Sequence, residues 1–172
     1  ICCIQTLSTE AYSKSTILFL GDGMGITTIT AARIYEGQVK GIDGESHSLS
    51  FESFENVAFV KTYSADAQIP DSAGTMSAIM TGQKTRSGVI SVGPKYKRGD
   101  CESVLLDSRT TLLELAEKAG LKTGIITTAR ITDATPAATY AHASDRTWET
   151  DEKIPHESKE KGCTDIAQQL IA

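Results

Sequence analysis

Two short segments place oxygen-bearing side chains where chemistry could converge. In "GDGMG" (21–25), Asp22 sits between glycines directly after an apolar run. A dinucleotide-binding turn of the G-x-G-x-x-G type would need glycine at 21, 23 and 26, and position 26 is Ile26. A carboxylate in that turn would also repel a pyrophosphate. It suits a hard or borderline cation, or else marks an ordinary Asp-Gly turn. In "PDSAG" (70–74), Asp71 or Ser72 can cap a helix that starts there. The same helix start would offer backbone N–H groups to an anion, which makes Ser72 a candidate nucleophile toward a phosphoryl group. The G-x-S-x-G elbow is absent and no histidine lies between Ser72 and His142. Activation would then fall to a metal ion that lowers the pKa of the serine hydroxyl.

A third segment, "TTARITDATPAATYAHASDR", adds Asp133, Thr135, His142 and Arg146. On an extended chain, Asp133 and Thr135 face the same way and present a carboxylate and a hydroxyl to an oxygen-loving cation such as Mg²⁺. Arg146 can clamp two phosphate oxygens with its planar fork, or simply be a surface arginine. His142 reads as a helix-packing residue. His47 and His156 lie in polar, loop-like stretches.

The elements that must position these groups alternate in type. "STILFL" (15–20) reads as a strand and "ITTITAARIYEG" (26–37) as a helix closed by Gly37. "NVAFVKTYSA" (56–65) is a second strand, followed by a helix over 73–82. Residues 84–103 form a Gly-rich basic connection. "DSRTTLLELAEKAG" (107–120) is the clearest helix, "KTGIITTA" (122–129) a third strand, and a last helix begins in "GCTDIAQQLIA". Strands apolar on both faces and alternating with helices predict an α/β fold, with a parallel-stranded central sheet flanked by helices on both faces. The three chemical segments would then fall at the carboxyl ends of the strands, where such sheets bind ligands.

The chain has 172 residues, 40% of them hydrophobic, enough for the core of one domain. A net charge of −5 with scattered basic residues argues against nucleic acid as a partner, and no apolar run is long enough to span a membrane. Residues 1–14 read as a signal-peptide remnant or an N-terminal arm, and 15–172 as part of a single domain ending inside a helix. Cys2 and Cys3 fall in the first segment. Cys101 and Cys163 lie in polar surroundings, either bridged in an oxidising compartment or as two unrelated thiols. Asn56 is not in a glycosylation sequon.

From Ser15 onward the chain resembles the alkaline phosphatases. "FLGDGMG…TAARI", "KTYSADAQIPDSAGT", "TTARITDATPAATYAH" and "GCTDIAQQLI" occur in that family's order and spacing. The resemblance implies the family's sheet-based fold, with two Zn²⁺ and one Mg²⁺, and hydrolysis of phosphate monoesters through a phosphoserine intermediate. A broad substrate range and an alkaline optimum are implied as well. By motif, Asp22 would bridge the second zinc and the magnesium, Ser72 would be the nucleophile and touch that zinc, Thr135 would bind magnesium, and Arg146 would hold the phosphate. Asp133 stands where vertebrate members usually carry histidine, and would bind magnesium through water. The resemblance also implies a Cys101–Cys163 disulfide of the animal type, a homodimer, and an extracytoplasmic location, secreted or held by a C-terminal lipid anchor. The remaining zinc ligands of the family would lie beyond Ala172, which makes this chain an N-terminal part, inactive alone. Two other readings compete. One is a related sulfatase or phosphodiesterase, which the context of Ser72 does not fit. The other is a non-catalytic phosphate- or metal-binding module of the same fold.

Overall fold

Two short helices of small residues hold the interior together in the computed structural model, which describes residues 15–172. The seven α-helices among these residues are α1 (Ile26–Val39), α2 (Ser72–Thr81), α3 (Glu102–Asp107), α4 (Leu112–Lys118), α5 (Ala134–Tyr140), α6 (His156–Glu160) and α7 (Ile166–Leu170). The expected N-terminal arm, with Cys2 and Cys3, lies outside the described residues.

Helix α2 starts where Asp71, in extended conformation, accepts the Gly74 amide at 3.1 Å, and it stops at Gly82. Gly82 takes a left-handed φ of 72° that closes the last turn onto the Ala78 carbonyl at low cost. Ala73, Gly74 and Ser77 on α2, and Ala134, Ala137 and Ala138 on α5, are buried. Residues this small let the two helix backbones approach closely. Met76, Met80, Ile90, Ala141, Ala143 and Ile166 complete this core. Helix α4 carries a reciprocal cap: the Thr111 hydroxyl accepts the Glu114 amide, and the Glu114 carboxylate accepts the Thr111 amide. The Thr111 hydroxyl also donates to the Thr139 carbonyl at 2.7 Å, which ties α4 to the end of α5.

The chain between α2 and α3 runs beneath α2. The Ser91 amide donates to the Ser77 hydroxyl at 2.7 Å, and the Ser91 hydroxyl donates to the Ala138 carbonyl at 2.9 Å. Ile90 and Ala143 exchange backbone hydrogen bonds of 2.8 and 3.0 Å as an isolated antiparallel bridge. A second bridge joins Val92 and Ser108.

The expected parallel sheet is not formed among the described residues. The segments 15–20, 56–65 and 122–129 belong to no ladder, and their apolar side chains face solvent: Phe19 is 88% exposed and Phe59 89%. A strand obtains its hydrogen bonds from neighbouring strands, so apolar runs that do not meet one another stay unpaired whatever their propensity. Helix boundaries also differ: α4 starts after the Thr111 cap rather than at Asp107, and Asp107 instead ends α3, whose first residues, Glu102 and Ser103, were expected in the connection.

Cys101 and Cys163 form a disulfide, with Cα atoms 6.0 Å apart and a sequence separation of 62. Together with Trp148 and Ile154 it forms a second buried cluster. Closing so long a loop is worth roughly 4 kcal/mol on the chain-entropy model. Replacing both cysteines by serine in the full-length protein is therefore expected to lower the urea midpoint of unfolding clearly. An unchanged midpoint would contradict the bond's stabilising role.

Candidate active site

Asp22 is the junction of the site. Its Oδ1 accepts the Ser72 hydroxyl at 3.0 Å and its Oδ2 accepts the Thr135 hydroxyl at 2.6 Å, across sequence separations of 50 and 113 residues. Each partner is placed by a helix start. Ser72 is the first residue of α2, and Thr135 lies in the first turn of α5. The close packing of α2 on α5 brings both hydroxyls to one exposed carboxylate. Gly23, at φ 69°, turns the chain immediately after Asp22, in a conformation that favours glycine.

Arg146 forms the other half. Its Nη1 donates to Asp71 Oδ2 at 3.0 Å and its Nη2 to Asp133 Oδ1 at 2.9 Å. The two carboxylates belong to the residue before Ser72 and to the N-cap of α5, so one guanidinium spans both helix starts. Oδ1 of Asp71 accepts the amides of Gly74 at 3.1 Å and Gly88 at 3.0 Å. Partial burial pushes the Asp71 carboxyl up, but those two amides and Arg146 outweigh it and hold it below the ordinary aspartate range.

The helix geometry corrects the expectation for Asp133 and Thr135. They do not share a face of an extended segment, because Asp133 caps α5 and Thr135 lies inside it. Asp133 turns to the Ala134 amide and Arg146, while Thr135 turns to Asp22. His142 is not within a helix either. It follows Ala141, the C-cap of α5, and its ring lies between the Ser91 carbonyl at 2.9 Å and the Glu114 carboxylate at 3.2 Å. Sequence reasoning passed over Asp71 as anything beyond a cap, although its place beside Ser72 was the available signal. Arg98, Gly88 and Asp145, which surround Arg146, carried no such signal.

The donor set at Asp22 is oxygen throughout: a carboxylate and two hydroxyls. That chemistry fits a hard cation such as Mg²⁺. The histidines are engaged elsewhere, His47 with Glu36, His142 with Glu114 and His156 with Glu160. Among the described residues, no group of three or more His, Cys, Asp or Glu side chains is gathered as a metal cage. Asp22 and Ser72 therefore offer zinc oxygen donors only.

Behind the site, the buried Glu149 accepts from Arg130 at 2.8 and 3.1 Å, Thr132 at 2.7 Å and Lys153 at 3.2 Å. The bond from Arg130 does most to pull its carboxyl down, to about 2, with Thr132 and Lys153 adding to it against the opposing effect of desolvation. A carboxyl that titrates lower in the folded than in the unfolded chain stabilises the fold above the ordinary glutamate range near 4.5. That contribution is lost as pH falls toward about 2. Glu149→Gln is expected to flatten the dependence of unfolding free energy on pH across this window, as followed by urea titration. An unchanged slope would contradict the assignment.

The chain as a whole has known relatives. A family model for alkaline phosphatase matches residues 13–172. Human tissue-nonspecific alkaline phosphatase is 44% identical over 168 residues, covering 98% of this chain and 32% of that protein. The alkaline phosphatase of the Antarctic bacterium TAB5 superposes with a TM-score of 0.58 at 29% identity, over 73% of this chain and 31% of that one. A histidine-to-aspartate variant of that enzyme, with Mg bound in its M3 site, gives a TM-score of 0.50 at 33% identity, over 59% of this chain and 27% of that one. The chain spans about a third of the length of the curated relatives it matches. On the family match and the identity to these relatives, the chain belongs to the alkaline phosphatase family.

Proposed function

We propose that this chain supplies the nucleophile, part of the metal site and the phosphate clamp of a phosphate monoester hydrolase. The observation that carries the reading is the convergence of Ser72 and Thr135 on Asp22 beside the doubly held Arg146. Ser72 Oγ attacks phosphorus as its O–H bond breaks, a serine–phosphorus ester forms, the bond to the substrate alcohol breaks with a proton taken up by the departing oxygen, and water later cleaves the phosphoserine to serine and inorganic phosphate. Asp22 Oδ1 accepts the hydroxyl hydrogen of Ser72 and so orients Oγ. Arg146 presents its guanidinium to the phosphoryl oxygens in a plane fixed by Asp71 and Asp133. The Gly74 amide is taken by Asp71 and Ala73 is buried, so the amide that the terminus of α2 offers an anion is that of half-buried Ser72.

Asp22, Ser72 and Thr135 are the residues that would hold cations here, Asp22 and Thr135 for Mg²⁺ and Asp22 with Ser72 for Zn²⁺, with Asp133 assisting the magnesium through water. A cation bound at these oxygens supplies Lewis acidity that favours the deprotonated serine. Mg bound in the M3 site of the TAB5 enzyme's aspartate variant supports Mg²⁺ as one of the cations. Recognition centred on the phosphoryl group accounts for a broad range of small phosphate monoesters. The Cys101–Cys163 bond supports an oxidising, extracytoplasmic compartment, and the family supports a homodimer. No helix among the described residues is long and apolar enough to cross a membrane.

The test is to incubate the full-length protein with radiolabelled inorganic phosphate, quench at low pH and map the label. Label on the peptide containing Ser72 is expected. Absence of a phosphoenzyme sinks the reading and leaves the non-catalytic binding module in its place.

A further inference from the structure

We propose that Arg98 is a positioning residue for Arg146, acting through Asp145 and Gly88. The proposal rests on the reading of Ser72 and Arg146 as the phosphoryl-transfer site.

Arg98 makes a two-pronged pair with the residue next to Arg146. Its Nε donates to Asp145 Oδ2 at 2.9 Å and its Nη2 to Asp145 Oδ1 at 2.8 Å. That same Oδ1 accepts the Thr147 amide at 2.9 Å and the Thr147 hydroxyl at 2.8 Å. The backbone on both sides of Arg146 is thus fastened to one carboxylate. The loop carrying Arg98 is tied to the residue before Asp145 as well, since the Gly99 amide donates to the Ser144 carbonyl at 2.8 Å.

Gly88 joins this pair to the clamp. Its carbonyl accepts the Arg146 amide at 2.8 Å, and its own amide donates to Asp71 Oδ1 at 3.0 Å. Asp71 is the carboxylate that holds Arg146 Nη1. Gly88 sits at φ 77°, and a Cβ there would lie 2.5 Å from each of Cζ, Nε and Nη1 of Arg98. Three guanidinium atoms at one distance describe a planar group lying face-on against the glycine. Arg98 therefore backs the peptide that is bonded to both Arg146 and Asp71, while its edge grips Asp145. A lysine has neither the plane nor the fork to do both. Asp71 adds attraction to the Arg98 charge across this stack.

The test uses the full-length, metal-loaded protein, with inorganic phosphate as competitive inhibitor of p-nitrophenyl phosphate hydrolysis. Arg146→Ala is expected to weaken phosphate binding. Arg98→Ala is expected to weaken it on the order of tenfold, the scale of a misplaced clamp, and Arg98→Lys to leave it equally weak. In an Arg146→Ala background, Arg98→Ala is expected to add little, because its effect passes through the missing guanidinium. A purely structural arginine would instead give the same proportional loss in both backgrounds, and that result overturns the proposal. So does an inhibition constant unchanged by Arg98→Ala. Should Arg98→Ala not accumulate, Asp145→Asn breaks the same fork at nearly constant shape and is judged by the same comparison. Phosphate binding indifferent to Arg146→Ala itself would sink the reading of the site, and this inference with it. Dependence on Arg146 without dependence on Arg98 sinks this inference alone.

Discussion

Ser72→Ala is expected to eliminate the phosphoenzyme of the full-length protein and to lower kcat/KM by roughly a thousandfold or more, the scale on which deleting a nucleophile acts. The structure makes this an unusually clean substitution. The cap of α2 is Asp71, whose Oδ1 takes the Gly74 amide, so helix initiation does not depend on the Ser72 side chain. The one side-chain hydrogen bond of Ser72 goes to an exposed carboxylate, and alanine is the better helix former at this position. The thermal midpoint should therefore stay within a few degrees of wild type while turnover collapses. Retained turnover together with retained labelling elsewhere would remove Ser72 from the mechanism.

Asp22→Asn is the second large effect expected. Asparagine keeps the shape of the side chain, and the hydroxyls of Ser72 and Thr135 can each donate or accept, so both can still bond to the amide. The fold should be little disturbed. The amide lacks the negative charge and the second carboxylate oxygen, which are what a divalent cation requires. Metal content of the purified protein, measured by atomic absorption, is expected to fall, with kcat/KM down by roughly a hundredfold or more. Full metal content in Asp22→Asn would mean that Asp22 is not a ligand.

The two substitutions separate the parts of the site. Ser72→Ala should leave metal content largely intact, because Asp22 and Thr135 remain. Asp22→Asn should reduce both metal and turnover. The basis of the distinction is that one carboxylate serves two hydroxyls from different helices.

Several features were legible from local sequence because their cause is local. The Pro-Asp-Ser start of α2 and the left-handed Gly82 at its end depend on capping chemistry within a turn. The Thr111–Glu114 capping box of α4 has an equally local cause, although the expected helix began at Asp107. The types of the site residues, a carboxylate between glycines, a serine at a helix start and a threonine beside an aspartate, were also readable, and with them the preference for an oxygen-loving cation. The motif order identified the family.

What the tertiary structure alone decided is which groups meet. Asp22 is separated from Thr135 by 113 residues and Arg146 from Asp71 by 75, and no periodicity encodes such pairings. They follow from the small residues of α2 and α5, which allow two helix starts to lie side by side. The split roles of Asp133 and Thr135 arose the same way, since an α5 starting at Ala134 redirects side chains that an extended chain would have aligned. The parallel sheet shows the converse. The apolar runs at 15–20, 56–65 and 122–129 have strand composition, but a strand's hydrogen bonds belong to its partners, and composition cannot supply them. Local chemistry set the caps, the turns and the identity of the reactive groups. Long-range packing set the distances that turn those groups into a site.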